Sequence, residues 1–328
     1  MAYTTINKST DYFNTKLYTG NGSTNAISSV GHQPDLVWLK ERSSAGAGLL
    51  FDAVRTATKF VRSSDNAAEV TAADTLTAFN SDGFTLGADA GNYAANQNSE
   101  TYVAWNWKAG TTSGITTTNS TITPSGYSFN QTAGFSIIKY PGNSSIARCP
   151  HGLGVAPKMI FIKDLGDTNN WQVYNASIGN TKMLELNTTV AQESTSARWN
   201  NTSPDSVNWT MGTTGAVNGN GANYIAYCFA EKTGYSKISS YTGNGNADGA
   251  FIYTGFKPAW ILIKKTSGAA SWYLHDNRRS SAGGFNVSNE YLRANLSNAT
   301  GTDQNGGDFC QFHVRLTNCT QGCLLCRC

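Results

Sequence analysis

Charged side chains are scarce in this 328-residue chain. Asp, Glu, Lys and Arg make up 14% of it, against about 25% in an average globular protein. The 24 Lys and Arg nearly balance the 21 Asp and Glu and are scattered along the chain, so nucleic-acid binding through a basic patch has no support. Polarity comes instead from Asn, Thr, Ser and 33 Gly, a composition that favours turns and β-strands over long amphipathic helices.

Long apolar runs are also missing. No stretch approaches the ~20 residues that a membrane-spanning helix needs. The first residues, MAYTTINKSTDYF, lack the basic and apolar regions of a signal peptide. We therefore expect a protein that is made without a signal peptide and has no membrane partner.

Cysteines are almost absent from the body of the chain. Only Cys149 and Cys228 precede residue 310, while the other five lie in the last nineteen residues. The body is therefore predicted to fold without disulfides, as proteins of a reducing cytosol do.

Three segments of the chain resemble one another. Each begins with Tyr and a Gly-Asn turn, and after sixteen or seventeen residues a Pro opens an apolar run that closes with Lys six residues later. The Pro–Lys pairs are Pro34–Lys40, Pro157–Lys163 and Pro258–Lys264. Equal offsets in three places indicate an internal repeat.

The repeat predicts the domain organisation. Residues 1–110, 126–233 and 234–309 form repeats 1, 2 and 3, and the small polar stretch 111–125 is a linker. About 95 to 110 residues is a common domain size. We expect each repeat to close its own hydrophobic interior.

Within a repeat, the periodicity is that of strands. The apolar run after each Pro is short and bounded by turn formers, which predicts a strand covered on both faces with its final Lys returning to water. The run from Tyr102 to Lys108 alternates, which predicts one core-facing side. A short helix is expected over residues 52–59. Short strands separated by Gly/Asn turns predict an all-β chain of three tandem antiparallel β-sandwich modules of jelly-roll type.

The last nineteen residues break the repeat. The final aromatic strand of repeat 3 should fall near residues 325 to 326, but residues 310–328 are rich in cysteine, so repeat 3 is predicted to be incomplete with an aberrant tail. Thiolates at short spacings can bind zinc. We favour instead a segment that was not selected for this fold, for example after a shifted reading frame. The weaker alternative is a metal site on Cys319, Cys323, Cys326 and Cys328, with His313 nearby.

Two acid–base pairs recur at one offset of the repeat. Asp52 with Arg55, and Asp276 with Arg279, are three residues apart, and repeat 2 carries Asn175 and Ile178 there. Because repeat 2 dispenses with both charges, we favour a role for the two pairs in fixing the local loop. The alternative is a weak binding site for an anionic or hydroxylated ligand.

No catalytic residue emerges from the sequence. His275 adjoins Asp276, but no nucleophile motif accompanies them and neighbours on a strand point to opposite faces. The Gly-Asn-Gly strings complete no phosphate-binding motif. We predict a protein that is not an enzyme and uses no cofactor.

The motifs YTGNG, PDLVWLKER, DGFTLG and YVAWNWKAGTTSG, followed by two further copies of the first part, resemble tandem modules in virion structural proteins of marine tailed bacteriophages. The resemblance covers about residues 1 to 305 and departs at the cysteine-rich end. It implies a non-enzymatic virion component, a tail fibre or appendage used in host attachment. Capsid decoration, and with less support a surface-polysaccharide depolymerase, are the alternatives. The partners implied are other virion proteins, copies of the same chain as a homo-oligomer such as a trimer, and a host-surface glycan.

Overall fold

Antiparallel strands make up almost all of the regular structure. The computed structural model describes residues 4–245, 249–279, 287–310, 313–316 and 321–327, with the side chains of 4–245, 249–279 and 289–302. The described helical pieces are a 3-10 turn at Ser9–Asp11 and the four-residue helix α1 at Gly215–Asn218. The all-β prediction is confirmed, but the short helix expected over residues 52–59 is wrong, since turns fill this segment until a strand begins at Lys59.

Repeat 1 contains a six-stranded sheet of order β1-β9-β3-β4-β5-β6 and a three-stranded sheet of order β2-β8-β7. Its strands are β1 (Phe13–Thr19), β2 (Asn25–Ile27), β3 (Leu36–Glu41), β4 (Leu49–Asp52), β5 (Lys59–Arg62), β6 (Val70–Thr71), β7 (Leu76–Asn80), β8 (Gly83–Leu86) and β9 (Thr101–Trp107).

Repeat 2 has a seven-stranded sheet of order β10-β11-β18-β13-β14-β15-β16 and the pair β12-β17. Its strands are β10 (Gly126–Asn130), β11 (Phe135–Pro141), β12 (Ala147–Pro150), β13 (Met159–Asp164), β14 (Gln172–Asn175), β15 (Lys182–Glu185), β16 (Glu193–Ser194), β17 (Asn208–Met211) and β18 (Asn223–Phe229). The segment 111–125 contains none of these strands, although Ile122 is buried against repeat 2.

Repeat 3 forms an eight-stranded sheet of order β19-β26-β21-β22-β23-β24-β25-β20. Its strands are β19 (Ser236–Thr242), β20 (Ala250–Tyr253), β21 (Trp260–Lys265), β22 (Trp272–Asp276), β23 (Val287–Arg293), β24 (Gly301–Cys310), β25 (His313–Leu316) and β26 (Gln321–Arg327).

The three main sheets share one strand order. The order β1-β9-β3-β4 in repeat 1 corresponds to β11-β18-β13-β14 and β19-β26-β21-β22. In each order, the second strand lies between the first strand and the Pro-headed strand. It is β9 in repeat 1, β18 in repeat 2 and β26 in repeat 3. Strand β26 therefore lies where the repeat places its last aromatic strand. Its side chains are outside the described part, so the incomplete third repeat remains a prediction.

The Pro-headed strands are covered on both faces, as predicted. In β3, Val37 and Leu39 pack into a core that belongs to repeat 1, and β13 has a matching core within repeat 2. On the opposite face of β3, Leu36 and Trp38 enter a central core that draws residues from all three repeats. The repeats therefore have local interiors and, in addition, one interior in common.

Aromatic rings fill the central core and join the three repeats. The ring centroids of Trp107 and Trp260 are 5.4 Å apart at an interplanar angle of 89°. Trp107 also lies 6.4 Å from Phe229, and Trp38 lies 6.3 Å from Trp260. Buried aromatic pairs with these geometries are worth about 0.5–1.5 kcal/mol beyond the burial of their area.

The central core corrects two expectations. Strand β9 is buried on both faces, because Trp105 points into the central core and Tyr102 into the core of repeat 1. Lys40 does not return to water, since its exposed fraction is 0%.

A buried asparagine holds each Tyr-x-Gly-Asn turn of repeats 1 and 2. Asn96 Oδ1 accepts from the Asn21 backbone N–H at 3.2 Å, and Asn218 Oδ1 accepts from that of Asn143 at 2.9 Å. The glycine before each turn is required by close approach, because a Cβ on Gly20 would lie 2.1 Å from a backbone oxygen. This explains why the motif recurs.

Candidate functional site

The predicted pair Asp52 and Arg55 lies at the end of β4 and is fully buried. Arg55 Nε donates to Asp52 Oδ2 at 2.5 Å, and the Arg55 backbone N–H donates to Asp52 Oδ1 at 2.8 Å. The guanidinium also donates to Leu50 O at 2.8 Å and to Glu69 Oε2 at 3.2 Å. From repeat 2, the Tyr227 hydroxyl donates to Asp52 Oδ2 at 2.8 Å.

Asp276 and Arg279 repeat this geometry at the end of β22. Arg279 Nε donates to Asp276 Oδ2 at 2.5 Å and Arg279 Nη2 to Leu274 O at 2.9 Å. Here the donor from the neighbouring repeat is Trp105, whose Nε1 lies 2.9 Å from Asp276 Oδ2. The guanidinium carbon of Arg279 is 5.6 Å from the centroid of the same indole ring, within the range of a cation–π contact.

This geometry favours the loop-fixing interpretation of both pairs over ligand binding. The side chains of both pairs are 0% exposed. Burial lowers the pKa of Arg55, but the Asp52 carboxylate and the other negative neighbours outweigh it and leave the pKa above its ordinary value. A ligand would have to break the buried carboxylate–guanidinium contact of either pair. Arg279 Nη1 has no hydrogen-bond partner among the described residues, but it is buried as well.

Repeat 2 shows the uncharged version of the same corner. Asn175 Oδ1 accepts from the backbone N–H and the hydroxyl of Ser177. Its amide nitrogen is buried and has no hydrogen-bond partner in the described part of the chain. In the backbone register, Trp105 pairs with Trp38 in repeat 1, and Tyr227 pairs with Phe161 in repeat 2. The equivalent position of β26 in repeat 3 is Leu325, which pairs with Leu262.

The closing lysines of the three Pro-headed strands are structural as well. Lys40, Lys163 and Lys264 are each 0% exposed, and each ammonium donates to two backbone carbonyls. The acceptors are Gly46 and Leu296 for Lys40 (2.8 Å each), Asp164 and Asp167 for Lys163 (2.6 and 3.0 Å), and Thr189 and Ala270 for Lys264 (3.0 and 2.6 Å). Burial lowers the pKa of Lys40 to about 7 and that of Lys163 to about 8.

Hydrogen bonds join each repeat to both of the others, which closes the three repeats into a ring. At each of the three seams, one buried side chain donates to a backbone carbonyl of the neighbouring repeat. These donors are Trp171 Nε1 to Arg62 O (2.7 Å), Trp272 Nε1 to Glu185 O (2.8 Å) and Lys40 Nζ to Leu296 O (2.8 Å). We call this arrangement the three-repeat ring.

The ring nitrogens of His151 and His32 form hydrogen bonds with backbone groups. His151 is fully buried, its Nδ1 accepts from the Leu153 N–H at 3.1 Å, and its Nε2 lies 3.1 Å from Asp205 O. These roles fix the neutral ring with its proton on Nε2. Burial lowers the pKa of His151 to about 4. His32 Nδ1 lies 2.9 Å from Thr10 O.

The side chains of the predicted cysteine metal site, Cys319, Cys323, Cys326 and Cys328, lie outside the described part. Among the described residues, no group of three or more His, Cys, Asp or Glu could hold a metal ion. Cys149 and Cys228 are free and buried. Burial raises the pKa of both thiols.

No described helix is long and apolar enough to cross a membrane.

Pockets at the seams of the ring were not predicted from the sequence. One of about 460 Å³ lies between repeats 1 and 3, one of about 380 Å³ between repeat 1 and the start of repeat 2, and one of about 400 Å³ between repeats 2 and 3. We call the first the 1–3 pocket. Its walls include Arg62, Tyr93 and Asn295, which are far apart in the sequence, so no local motif could have revealed it.

A family model matches the chain over residues 8–321. The chain belongs to the DUF7483 family, described as a domain of unknown function. The match spans all three repeats up to the start of β26, so the unit that this family describes includes nearly all of the three-repeat ring. No curated protein and no solved structure matches the DUF7483 chain.

Proposed function

We propose that this DUF7483 chain is a non-enzymatic structural protein of a virion, part of a tail fibre or appendage that contributes to attachment to the host surface. The observation that carries the proposal is the three-repeat ring itself. Its buried ion pairs and two of its buried lysines, Lys40 and Lys264, bind one repeat to the next, so these polar groups stabilise the architecture. Such a rigid ring suits a particle component that must resist proteolysis and present loops.

The sequence resemblance to virion modules supports the same proposal. The part of the chain that carries the resemblance, about residues 1 to 305, supplies nearly all of the ring. Copies of the chain would associate through the outer surfaces of the ring, because the faces between repeats are already occupied within one chain. We propose a homo-oligomer, with a trimer as the candidate.

The test is to locate the chain on the particle. Mass spectrometry of purified particles, together with immunogold electron microscopy, should find it on the tail, and an antibody against the chain should slow adsorption to the host. Label on the capsid, with loss of particle stability when the chain is removed, would support capsid decoration instead. Absence from the particle would overturn the proposal. Release of reducing ends from host polysaccharide, abolished by one Asp or Glu substitution, would support a depolymerase.

A further inference from the structure

We propose that the 1–3 pocket binds a saccharide, with the hydroxyl groups of a single sugar ring as the recognised feature. The inference rests on the proposed attachment role and names the ligand class and the site. It is carried by a preformed cavity between two repeats, into which an aromatic ring, an ion pair and two amide side chains converge.

The pocket is rigid because its walls are tied together across the seam. The Gly46 backbone N–H donates to Ser297 O at 2.8 Å, and Lys40 beneath it joins Gly46 O to Leu296 O. The Ser63 hydroxyl donates to Ala294 O at 2.7 Å. A volume of about 460 Å³ lies within the usual range of small-ligand sites, which also occur preferentially at domain interfaces.

The polar groups of the pocket suit sugar hydroxyls. Arg62 Nη1 and Asp65 Oδ2 are 3.5 Å apart, with side chains 26% and 39% exposed. Asn295 uses its Oδ1 to accept from the Trp272 N–H at 2.8 Å, and its amide nitrogen donates to no other described residue. A carboxylate accepts from hydroxyl groups, whereas guanidinium and amide groups donate to them. Neighbouring hydroxyls of a sugar can therefore engage both kinds of group.

Tyr93 supplies the aromatic wall. It lies between Asn92 at φ +52° and Ala94 at φ +64°, a left-handed pair that is unusual for residues other than glycine. The Asp89 carboxylate maintains this loop by accepting from the N–H groups of Tyr93 at 2.9 Å and Ala95 at 2.7 Å. The half-buried Tyr93 ring packs against Phe60, with centroids 5.2 Å apart, and is held in place for contact with a sugar face.

The charge of the pocket decides against other ligands. Arg62 and Asp65 neutralise one another, so neither a phosphate nor a metal cation would meet an excess of opposite charge. The exposed asparagine Asn92 and serines Ser64 and Ser297 make the lining too polar for an acyl chain. A neutral ligand with many hydroxyl groups matches a polar lining that has no excess charge.

The experiment measures binding of the purified full chain to four probes, the methyl glycosides of glucose, galactose, mannose and N-acetylglucosamine. Saturation-transfer NMR detects binding and titration gives Kd. We expect at least one probe to bind, and Asn92→Gly and Asp65→Asn each to weaken it about fivefold through loss of a hydrogen bond. Glycine tolerates φ +52°, so Asn92→Gly removes the amide without straining the loop.

The matched control is Asn201→Gly. Asn201 is an exposed asparagine of repeat 2 at φ +48°, whereas repeats 1 and 3 line the pocket, and this variant should bind as the unchanged protein does. No binding of any of the four probes, or equal affinities in all three variants, would overturn the proposal. Because the assay uses purified protein, its result is independent of where the chain lies on the particle.

Discussion

Repeats 1 and 3 differ from repeat 2 at one buried corner. Asp52–Arg55 and Asp276–Arg279 form ion pairs with Nε–Oδ2 distances of 2.5 Å, whereas repeat 2 carries Asn175 and Ile178. The carboxylate in each charged corner also accepts from the next repeat, through the Tyr227 hydroxyl or the Trp105 indole N–H. In the uncharged corner of repeat 2, Asn175 Oδ1 instead accepts within the loop, from the backbone N–H and the hydroxyl of Ser177.

The difference indicates that the charged corner depends on the neighbouring repeat. A buried carboxylate needs several hydrogen bonds to offset its desolvation. In repeats 1 and 3 the neighbouring repeat supplies such a donor to the carboxylate, whereas in repeat 2 an amide and an isoleucine take the place of the pair. The corner therefore belongs to the seam and not to one repeat.

The largest expected effect is that of Asp52→Asn. This change leaves the Arg55 guanidinium buried without its carboxylate, and we expect the free energy of unfolding to fall by about 3–5 kcal/mol. Urea denaturation followed by tryptophan fluorescence measures it. The matched control is Asp11→Asn in the exposed Lys8–Asp11 pair, which has the same spacing and should cost less than about 1 kcal/mol. Equal losses in the two variants would contradict the structural role.

Acid should destabilise the protein through His151. The unfolded histidine takes up a proton near pH 6.5, whereas the folded one does so only near pH 4, so the contribution is present above pH 6.5 and is lost as the pH falls toward 4. The shift corresponds to about 3 kcal/mol. We compare unfolding free energies of the unchanged protein and His151→Gln between pH 7 and 4. Parallel pH profiles would show that His151 does not carry this loss.

Transplanting the corner of repeat 2 into repeat 1 tests whether the ion pair itself adds stability. The double variant Asp52→Asn with Arg55→Ile removes both charges, and the new amide oxygen can still accept from Tyr227. We expect it to recover about 2 kcal/mol of the loss caused by Asp52→Asn alone. If the double variant has a lower free energy of unfolding than Asp52→Asn alone, the side chain of Arg55 stabilises the fold by contacts other than its ion pair with Asp52.

Removing the donor between repeats should have the smallest of these effects. Tyr227→Phe deletes the hydroxyl that donates to Asp52, and we expect a loss of about 1–2 kcal/mol. In the Asp52→Asn background the same change should cost less, because the charge that strengthened the bond is gone. Identical costs in both backgrounds would show no coupling across this seam.

Much of the fold could be predicted from the sequence because it follows from local patterns. The apolar runs after Pro34, Pro157 and Pro258 predicted doubly covered strands, which the structure confirms. The apolar pattern does not predict which residues cover the two faces of these strands. Trp38 lies against Trp260 of repeat 3, and Leu36 enters the same shared core. This packing depends on how the repeats close.

The lysines and the pocket escaped prediction for the same reason. Lys40 was expected in water because a charge ends its strand, yet one of its acceptors, Leu296 O, comes from 256 residues further along the chain. The 1–3 pocket likewise joins Arg62 and Tyr93 to Asn295. The paired charges Asp52–Arg55 could be found from their spacing, but their burial could not.

The central claim is that the three repeats form one cooperative unit around the shared aromatic core. Hydrogen exchange with mass spectrometry across a urea titration tests it most directly, using peptides that cover β3, β13 and β21. We expect these three strands to lose protection at one common urea concentration, and the Asp52→Asn variant to shift all three together. Separate midpoints, with β13 unaffected by the change in repeat 1, would show three independent sandwiches and contradict it.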